Sequence, residues 1–299
     1  MTKENDQNNR PCPACSSTEV NKAGDKSGFE ILICKRCKTI FTSRMPSQND
    51  VEDYDEYYNA DNLSAPEFIR RRVKEIVVSF EPYRRLNRLL DVGFGSGTIL
   101  QAALDLGWDA SGQEVSGPAV EQARKLGFDV FHGVLENANY PDEHFDVITA
   151  SEIIEHLPDP QMTLHEIARI LRPGGLLWAT TPSALSLSFR IMKEKWTIIS
   201  PPEHTQIYSK KGIRNMLTEA GFHDARIQTL GLNTSELINY YRVGRDSDKQ
   251  FNRVATSYEL NEKMTGSSAG KLAKGAVNLV LNTLHLGDSL KIYAQKASR

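Results

Sequence analysis

Arg88-Leu-Leu-Asp-Val-Gly-Phe-Gly-Ser-Gly-Thr98 decides the fold. A short apolar run enters three alternating glycines, and a helical pattern from Thr98 to Leu106 follows, ended by Gly107. That order lets backbone pass close to a ligand at the positive end of a helix. The alternation continues downstream. Trp108 to Glu114 predicts a strand, Gly117 to Leu126 a helix stopped by Gly127, Phe128 to Phe131 a third strand and Phe145 to Ala150 a fourth. Gln161 to Leu171 predicts a helix, Pro173-Gly-Gly175 a turn and Leu176 to Thr181 a fifth strand. Lys210 to Ala220 predicts a helix closed by Gly221, Ala225 to Leu230 a sixth strand and Ser289 to Ala294 the last. Such alternation requires an α/β fold with a mostly parallel, seven-stranded sheet and helices on both faces. Right-handed crossovers make it doubly wound, Rossmann-like.

The glycine loop alone leaves the ligand open. A dinucleotide loop reads G-x-G-x-x-G/A, and here Gly93 and Gly95 fit while Thr98 breaks the last position. The observed form, Asp91-x-Gly93-x-Gly95-x-Gly97, is different. Glu114 ends the second strand 21 residues after Gly93, where a carboxylate accepts hydrogen bonds from a ribose diol. An adenosine-bearing ligand is therefore expected.

All four cysteines lie at one end, in the pattern Cys12-x2-Cys15-x18-Cys34-x2-Cys37. Two such knuckles complete a tetrahedral, four-sulfur zinc site, which is closed and hence structural. A disulfide framework needs an oxidising compartment, and a redox pair needs a βαβ context. Phe29 to Ile33 and Thr39 to Thr42 read as strands of a zinc ribbon too small to fold without its metal. From Lys3 to Arg44 there are eight basic and five acidic residues, net +3, which leaves room for a nucleic-acid grip. A docking module or lid on the main domain is the favoured reading. The expected division is 1–45 zinc ribbon, 46–80 linker and N-terminal helices, 81–232 catalytic core, 233–286 helical cap and 287–299 final strand. Tyrosines of 51–58 recur at helical steps, and Phe68, Ile69, Val73, Ile76, Val77 and Phe80 mark one helix face.

Composition narrows the class. The 299 residues are 39% apolar and 25% charged, with 36 basic against 38 acidic side chains and a net charge of -2. That excludes a disordered chain and disfavours an electrostatic nucleic-acid binder. No apolar run is long enough for a membrane span, and Met1 to Arg10 lacks a signal-peptide core, so a cytoplasmic protein without membrane partners is expected.

Five motifs carry a family resemblance: Asp91 to Gly97, Glu114, Pro141-Asp-Glu-His-Phe-Asp-Val147, Glu155-His-Leu157 and Leu171-Arg-Pro-Gly-Gly175. In order and spacing, across about residues 65–230, they resemble the class I S-adenosylmethionine-dependent methyltransferases. With its N-terminal ribbon, the chain is similar to a bacterial subgroup that modifies sugars or secondary metabolites. The resemblance implies S-adenosylmethionine as cofactor. Gly93, Phe94, Gly95 and Gly97 would approach its methionine part, Asp91 its amino group and Glu114 its ribose. Val115, Leu135 and Glu136 would lie by the adenine, and Ser151 and Glu152 would open onto the methyl donor.

Glu152-Ile-Ile-Glu155-His156 and the downstream His204 bring two carboxylates and two imidazoles into play. On a helical turn the first three would converge, and the set suits magnesium, manganese or zinc. The pattern resembles two methyltransferase families, one acting on the terminal 2′-hydroxyl of small RNAs and one on catechol-like ubiquinone precursors. In both, a metal holds vicinal oxygens of the acceptor. Glu-His-Leu also occurs at this place in methyltransferases that bind no metal. His204, His156 and Glu152 are the candidate catalytic residues, with His204 as base. The expected activity is O-methylation of a small hydroxylated molecule. RNA ribose methylation and N- or C-methylation are the alternatives, and a scaffold without chemistry is disfavoured by the intact glycine loop.

Overall fold

The computed structural model describes residues 10–47, 50, 65–243 and 268–298. The tyrosine-rich stretch 51–58 and residues 244–267 of the expected cap lie outside the described residues. Three ribbon strands come first: β1 (Val20–Lys26), β2 (Phe29–Cys34) and β3 (Ile40–Thr42). The main sheet holds β4 (Arg88–Val92), β5 (Asp109–Glu114), β6 (Asp129–His132), β7 (Phe145–Ser151), β8 (Leu171–Pro182), β10 (Phe222–Leu230) and β11 (Ser289–Lys296). Its order is β10-β11-β8-β7-β4-β5-β6. Neighbours from β8 to β6 run parallel, whereas β11 is antiparallel to both β8 and β10. β4 and β7 are buried along most of their length, as strands covered on both faces must be.

The helices are α1 (Glu67–Val78), α2 (Thr98–Asp105), α3 (Gly117–Lys125), α4 (Pro160–Ile170), α5 (Leu187–Met192), α6 (Lys210–Glu219), α7 (Thr234–Val243) and α8 (Ser268–Thr283). Side-chain caps set several starts. Asp159 accepts from the Met162 amide at 3.0 Å ahead of Pro160, and Ser209 accepts from the Gly212 amide at 2.9 Å. Phe80 at the end of the α1 stripe is fully buried and packs on Trp178 of β8, ring centres 6.0 Å apart.

Two segments differ from expectation. Pro173-Gly-Gly175 falls inside β8, which starts at Leu171, as an irregularity of the strand: Phe145 lies opposite Leu171 but Val147 opposite Leu176, with Gly174 left-handed at a φ of 68°. Its neighbour Arg172 reaches the wholly buried Asp146 at 2.5 Å, and the second Asp146 oxygen accepts from the Arg85 and Leu86 amides. These motif residues therefore tie the entry to β4 against β7 and β8.

The second difference is a strand the sequence did not reveal, β9 (Gln206–Ile207). It pairs antiparallel with β3, Ile40 opposite Ile207 and Phe41 opposite Gln206, and so completes a four-stranded sheet β1-β2-β3-β9. Ribbon and catalytic core thus share a sheet. They also share one hydrophobic core, in which Cys12, Leu32 and Phe41 pack with Tyr208, Ile213 and Met216. The half-buried Arg10 side chain stitches the junction, donating to the Thr42 carbonyl at 2.8 Å and to the Thr205 carbonyl at 2.8 Å.

Candidate active site

The C-terminal ends of β4, β5, β7 and β8 form one rim of the sheet, where ligands bind in open α/β folds. At β4 the chain leaves through Gly93, Gly95 and Gly97, all at positive φ (64°, 51° and 69°). Gly93 also needs the space. A Cβ there would come within 2.1 Å of the Ile153 side chain, so the loop lies flat against the turn after β7. The Gly93 amide donates to the Gln113 carbonyl at 2.7 Å, and the Gly95 amide donates to Glu114 Oε2 at 3.0 Å. Glu114 Oε1 accepts from the Val115 and Ser116 amides at 2.7 and 3.0 Å.

Asp91 stands beside this loop, 2% exposed, accepting from Thr149 Oγ1 at 2.6 Å. Burial pushes its carboxyl up to about 7, with the nearby Glu114 charge adding to the effect. Among the described residues neither carboxylate is paired with a cation. Two adjacent acids without a counter-ion, over a glycine cradle, fit a ligand bearing positive charge and a diol.

Across the rim a second cluster forms. Glu155, His156 and His204 each offer a ligand atom, all within 4.8 Å of one another. Residues 154–156 make a tight turn after β7, with the His156 amide donating to the Ile153 carbonyl at 3.0 Å. His204 arrives from the segment just before β9, and its ring stands edge-on to His156 with centres 4.6 Å apart. His156 Nδ1 donates to the Glu203 carbonyl at 3.1 Å and His204 Nδ1 to the Ile198 carbonyl at 2.8 Å. A carbonyl only accepts, so each Nδ1 carries its hydrogen and each lone pair sits on Nε2. Burial and the neighbouring His204 draw His156 down to about 4. Glu155 is wholly buried. Its Oε2 accepts from Thr181 Oγ1 at 2.9 Å, while Oε1 has no hydrogen-bond partner among the described residues. Burial, then the nearby Glu152 charge, raises its carboxyl well above the ordinary range. A buried carboxylate with an orphaned oxygen, beside two imidazoles each held through Nδ1 on a backbone carbonyl, matches the outer-shell pattern of metal-ligating histidines.

In the ribbon, Cys12 Sγ lies 3.5 Å from Cys37 Sγ and Cys15 Sγ lies 3.6 Å from Cys34 Sγ, with all four sulfurs within 4.8 Å. These separations far exceed the ~2.05 Å of a disulfide. They approach the roughly 3.8 Å edge of a tetrahedron with ~2.3 Å metal–sulfur bonds. The geometry is compatible with a tetrathiolate metal site.

The methyltransferase-domain family matches residues 64–226, more than half of the chain. The chain belongs to that family. It is an S-adenosylmethionine-dependent methyltransferase of the class I type. A ubiquinone biosynthesis O-methyltransferase of Parvibaculum lavamentivorans is 32% identical over 179 residues, 56% of this chain and 70% of that protein. A like-named protein of Thiobacillus denitrificans is 28% identical over 177 residues, 55% and 75% of the two chains. A SAM-dependent methyltransferase from Archaeoglobus fulgidus shares the fold, with TM-score 0.54 and 18% identity over 82% of this chain and all of that one.

Within this methyltransferase the expected site residues divide. Asp91, Gly93, Gly95, Gly97 and Glu114 meet at one end of the rim, and Glu155, His156 and His204 at the other. Ser151, with its hydroxyl 2.9 Å from Thr180 Oγ1, stands at the end of β7 between them. Glu152 is exposed, at a left-handed φ of 55°, and is not in the three-residue cluster. The expected helical turn begins only after it. Phe94 keeps its backbone in the loop, but its ring is 5% exposed and packs on Leu100 and Ala119. Leu135 is equally buried, Val115 is half exposed, and Glu136 accepts from Thr163 Oγ1 at 2.6 Å. Sequence reasoning missed Thr149 and Thr181, which hold the two buried acids. Their one signal is a hydroxyl near the C-terminal end of a core strand.

Proposed function

We propose that this methyltransferase transfers the methyl group of S-adenosylmethionine to a hydroxyl oxygen of a small molecule carrying two adjacent oxygens, with a divalent cation held by Glu155, His156 and His204. The supporting observation is the convergence of those three side chains on the same rim as the glycine loop, with Oε1 of Glu155 unpartnered. The similarity to ubiquinone biosynthesis O-methyltransferases supports oxygen as the acceptor atom.

The proposed roles follow the placement. Asp91 holds the cofactor's ammonium, Glu114 its ribose hydroxyls, and the backbone of Gly93, Phe94, Gly95 and Gly97 encloses the methionine part. Val115, Leu135 and Glu136 flank the adenine, and Ser151 and Glu152 face the transferred methyl. S-adenosylmethionine supplies an electrophilic methyl on a sulfonium, so the carbon–sulfur bond breaks as the carbon–oxygen bond forms. The acceptor hydroxyl must lose its proton to attack. A divalent cation, magnesium or manganese, would lower the pKa of that hydroxyl. In this reading Nε2 of His204 takes the proton, and the rest of the catalysis is positioning. Cys12, Cys15, Cys34 and Cys37 hold structural zinc in this reading.

The test uses 1,2-dihydroxybenzene as acceptor and calorimetry with S-adenosylhomocysteine. The wild type should bind S-adenosylhomocysteine, and transfer should require magnesium or manganese restored after chelation. His204→Gln should lower kcat/KM by roughly 10²–10⁴-fold with S-adenosylhomocysteine affinity unchanged. Transfer indifferent to the chelator would remove the cation from the mechanism. Absence of S-adenosylhomocysteine binding would overturn the site as a whole.

A further inference from the structure

A surface helix buries its apolar stripe and turns its polar side to water. Helix α8 does the reverse. Asn278 and Asn282 face inward: Asn278 Oδ1 accepts from the Gly231 amide at 3.1 Å, and Asn282 Oδ1 from the Thr229 amide of β10 at 3.0 Å. Leu281, between them in sequence, is buried. The other side is apolar and open. Leu272 is 77% exposed and Leu279 67%, and Val277, Val280 and Leu284 are each half-exposed. At helical spacing these five fall on one side, with the exposed Ala276 and Thr283 among them. Single exposed aliphatics are ordinary, but a continuous patch along one helix marks an interaction surface.

The charges around the stripe say what it meets. Ser268 to Gly287 contain no aspartate or glutamate, but they include Lys271, Lys274 and His285. His285, next to Leu284, lines one cleft with Lys210, Lys211 and Arg214 of α6. That places the α6 cations beside the C-terminal end of the stripe. Lys211 and Arg214 are exposed, and among the described residues none of the three makes an ion pair. The chain as a whole has a net charge of -2, so this basic and apolar region stands out from the rest. An acid-free stripe beside unpaired cations is complementary to a surface that is apolar within and anionic outside. Two copies paired through α8 would instead bring like charges into one interface.

We propose that α8 docks on an anionic lipid surface. Leu272, Val277, Leu279, Val280 and Leu284 enter the boundary between headgroups and acyl chains, while Lys210, Lys211 and Arg214 meet the lipid charges. Among the described residues no helix is long and apolar enough to cross a membrane, so α8 lies in the interface and does not span it. The expectation of no membrane partner rests on span length and signal-peptide character, and it does not bear on such a helix. In the sheet, β11, β8 and β7 separate β10 beneath α8 from β4 and its glycine loop, so substitutions on α8 leave that loop untouched.

Full-length protein is sedimented with vesicles of phosphatidylcholine alone and with vesicles in which about one third of the lipid is phosphatidylglycerol. Partitioning to the anionic vesicles should be at least about tenfold stronger, and it should weaken as salt is raised. Leu279→Gln with Val280→Gln should lower it at least about tenfold. Lys210→Gln with Arg214→Gln should remove most of the preference for the anionic lipid. S-adenosylhomocysteine affinity within about threefold of wild type shows that each variant is folded. A wild type that binds S-adenosylhomocysteine but stays in solution with both vesicles would overturn the proposal and leave the methyltransferase assignment intact. Partitioning indifferent to the α8 substitutions would do the same. A wild-type dimer that those substitutions make monomeric would assign the face to a second copy and not to lipid. Loss of S-adenosylhomocysteine binding in the α8 variant would assign it to the protein's own core.

Discussion

The two halves of the rim are built by different means. The donor half is local: Asp91, the three glycines and Glu114 fall within one strand–helix–strand unit, and adjacent strands place them together. The acceptor half is assembled from afar. Glu155 and His156 follow β7, while His204 comes 48 residues after His156 and is anchored one residue further on by the ribbon. The Thr205 carbonyl accepts from the Thr42 amide at 3.0 Å and from Arg10 Nη2 at 2.8 Å, and Gln206 then pairs with Phe41. Gln206 also donates its amide hydrogen to the Leu157 carbonyl, which links the His204 segment to the Glu155–His156 turn. The ribbon therefore backs the acceptor half and leaves the donor half alone.

The largest expected effect separates the halves by destroying that backing. Cys34→Ser removes one of four sulfurs from a module that cannot fold on apolar burial alone. Bound zinc should fall from about one per chain to none. Methyl transfer should fall on the order of a hundredfold or more, the scale of misplacing a catalytic group by an ångström. S-adenosylhomocysteine affinity should stay within about threefold, since no ribbon residue lies in the glycine loop. Equal loss of binding and turnover would show that the two halves are one unit and break the comparison.

The same division explains what was legible in the sequence. The parallel sheet, its helices and the donor half follow from periodicity and from residues close in the chain. Cys12 to Cys37 were legible because knuckle spacing states its own geometry. β9 was not: two residues, Gln206 and Ile207, carry no periodicity, and they are a strand only because β3 lies alongside. Arg10 sits in a polar N-terminal stretch and gives no hint that its guanidinium lies over Phe41 and bonds the Thr205 carbonyl. Asp146 and Arg172 were visible as motif letters, but their ion pair needs β7 and β8 as neighbours. Phe94 misleads because its place in the loop says nothing of its ring, which turns into the core. Long-range pairing is the common cause.

A smaller effect tests the donor half by itself. Gly93→Ala adds a methyl where Ile153 lies 2.1 Å away, at a φ of 64° that disfavours any side chain. The left-handed conformation alone costs about 1–2 kcal/mol, and Ile153 must also move. S-adenosylhomocysteine should bind about thirtyfold more weakly, with bound zinc unchanged. A variant that binds within threefold of wild type would show that the loop does not approach the cofactor there. Because Ile153 precedes Glu155 by two residues, this variant also reports whether the halves touch. Turnover at saturating S-adenosylmethionine should recover if they do not.

The smallest effect is a pH dependence confined to the donor half. Burial holds the Asp91 carboxyl at about 7, well above an ordinary aspartate. The sign follows from which form each state prefers. The fold alone favours protonated Asp91, so its contribution to stability is present at low pH and declines as pH rises from the unfolded value of about 4 toward 7. The cofactor's ammonium favours the ionised form. Binding should therefore strengthen as pH rises toward 7 and level off above it, with affinity at pH 6 about fivefold below that at pH 7. Asp91→Asn should bind more weakly at neutral pH and lose this slope. The check is calorimetry with S-adenosylhomocysteine between pH 5.5 and 7.5 in matched buffers. A flat profile in the wild type would mean that Asp91 does not meet the ammonium. An unchanged slope in Asp91→Asn would assign the titration to another group.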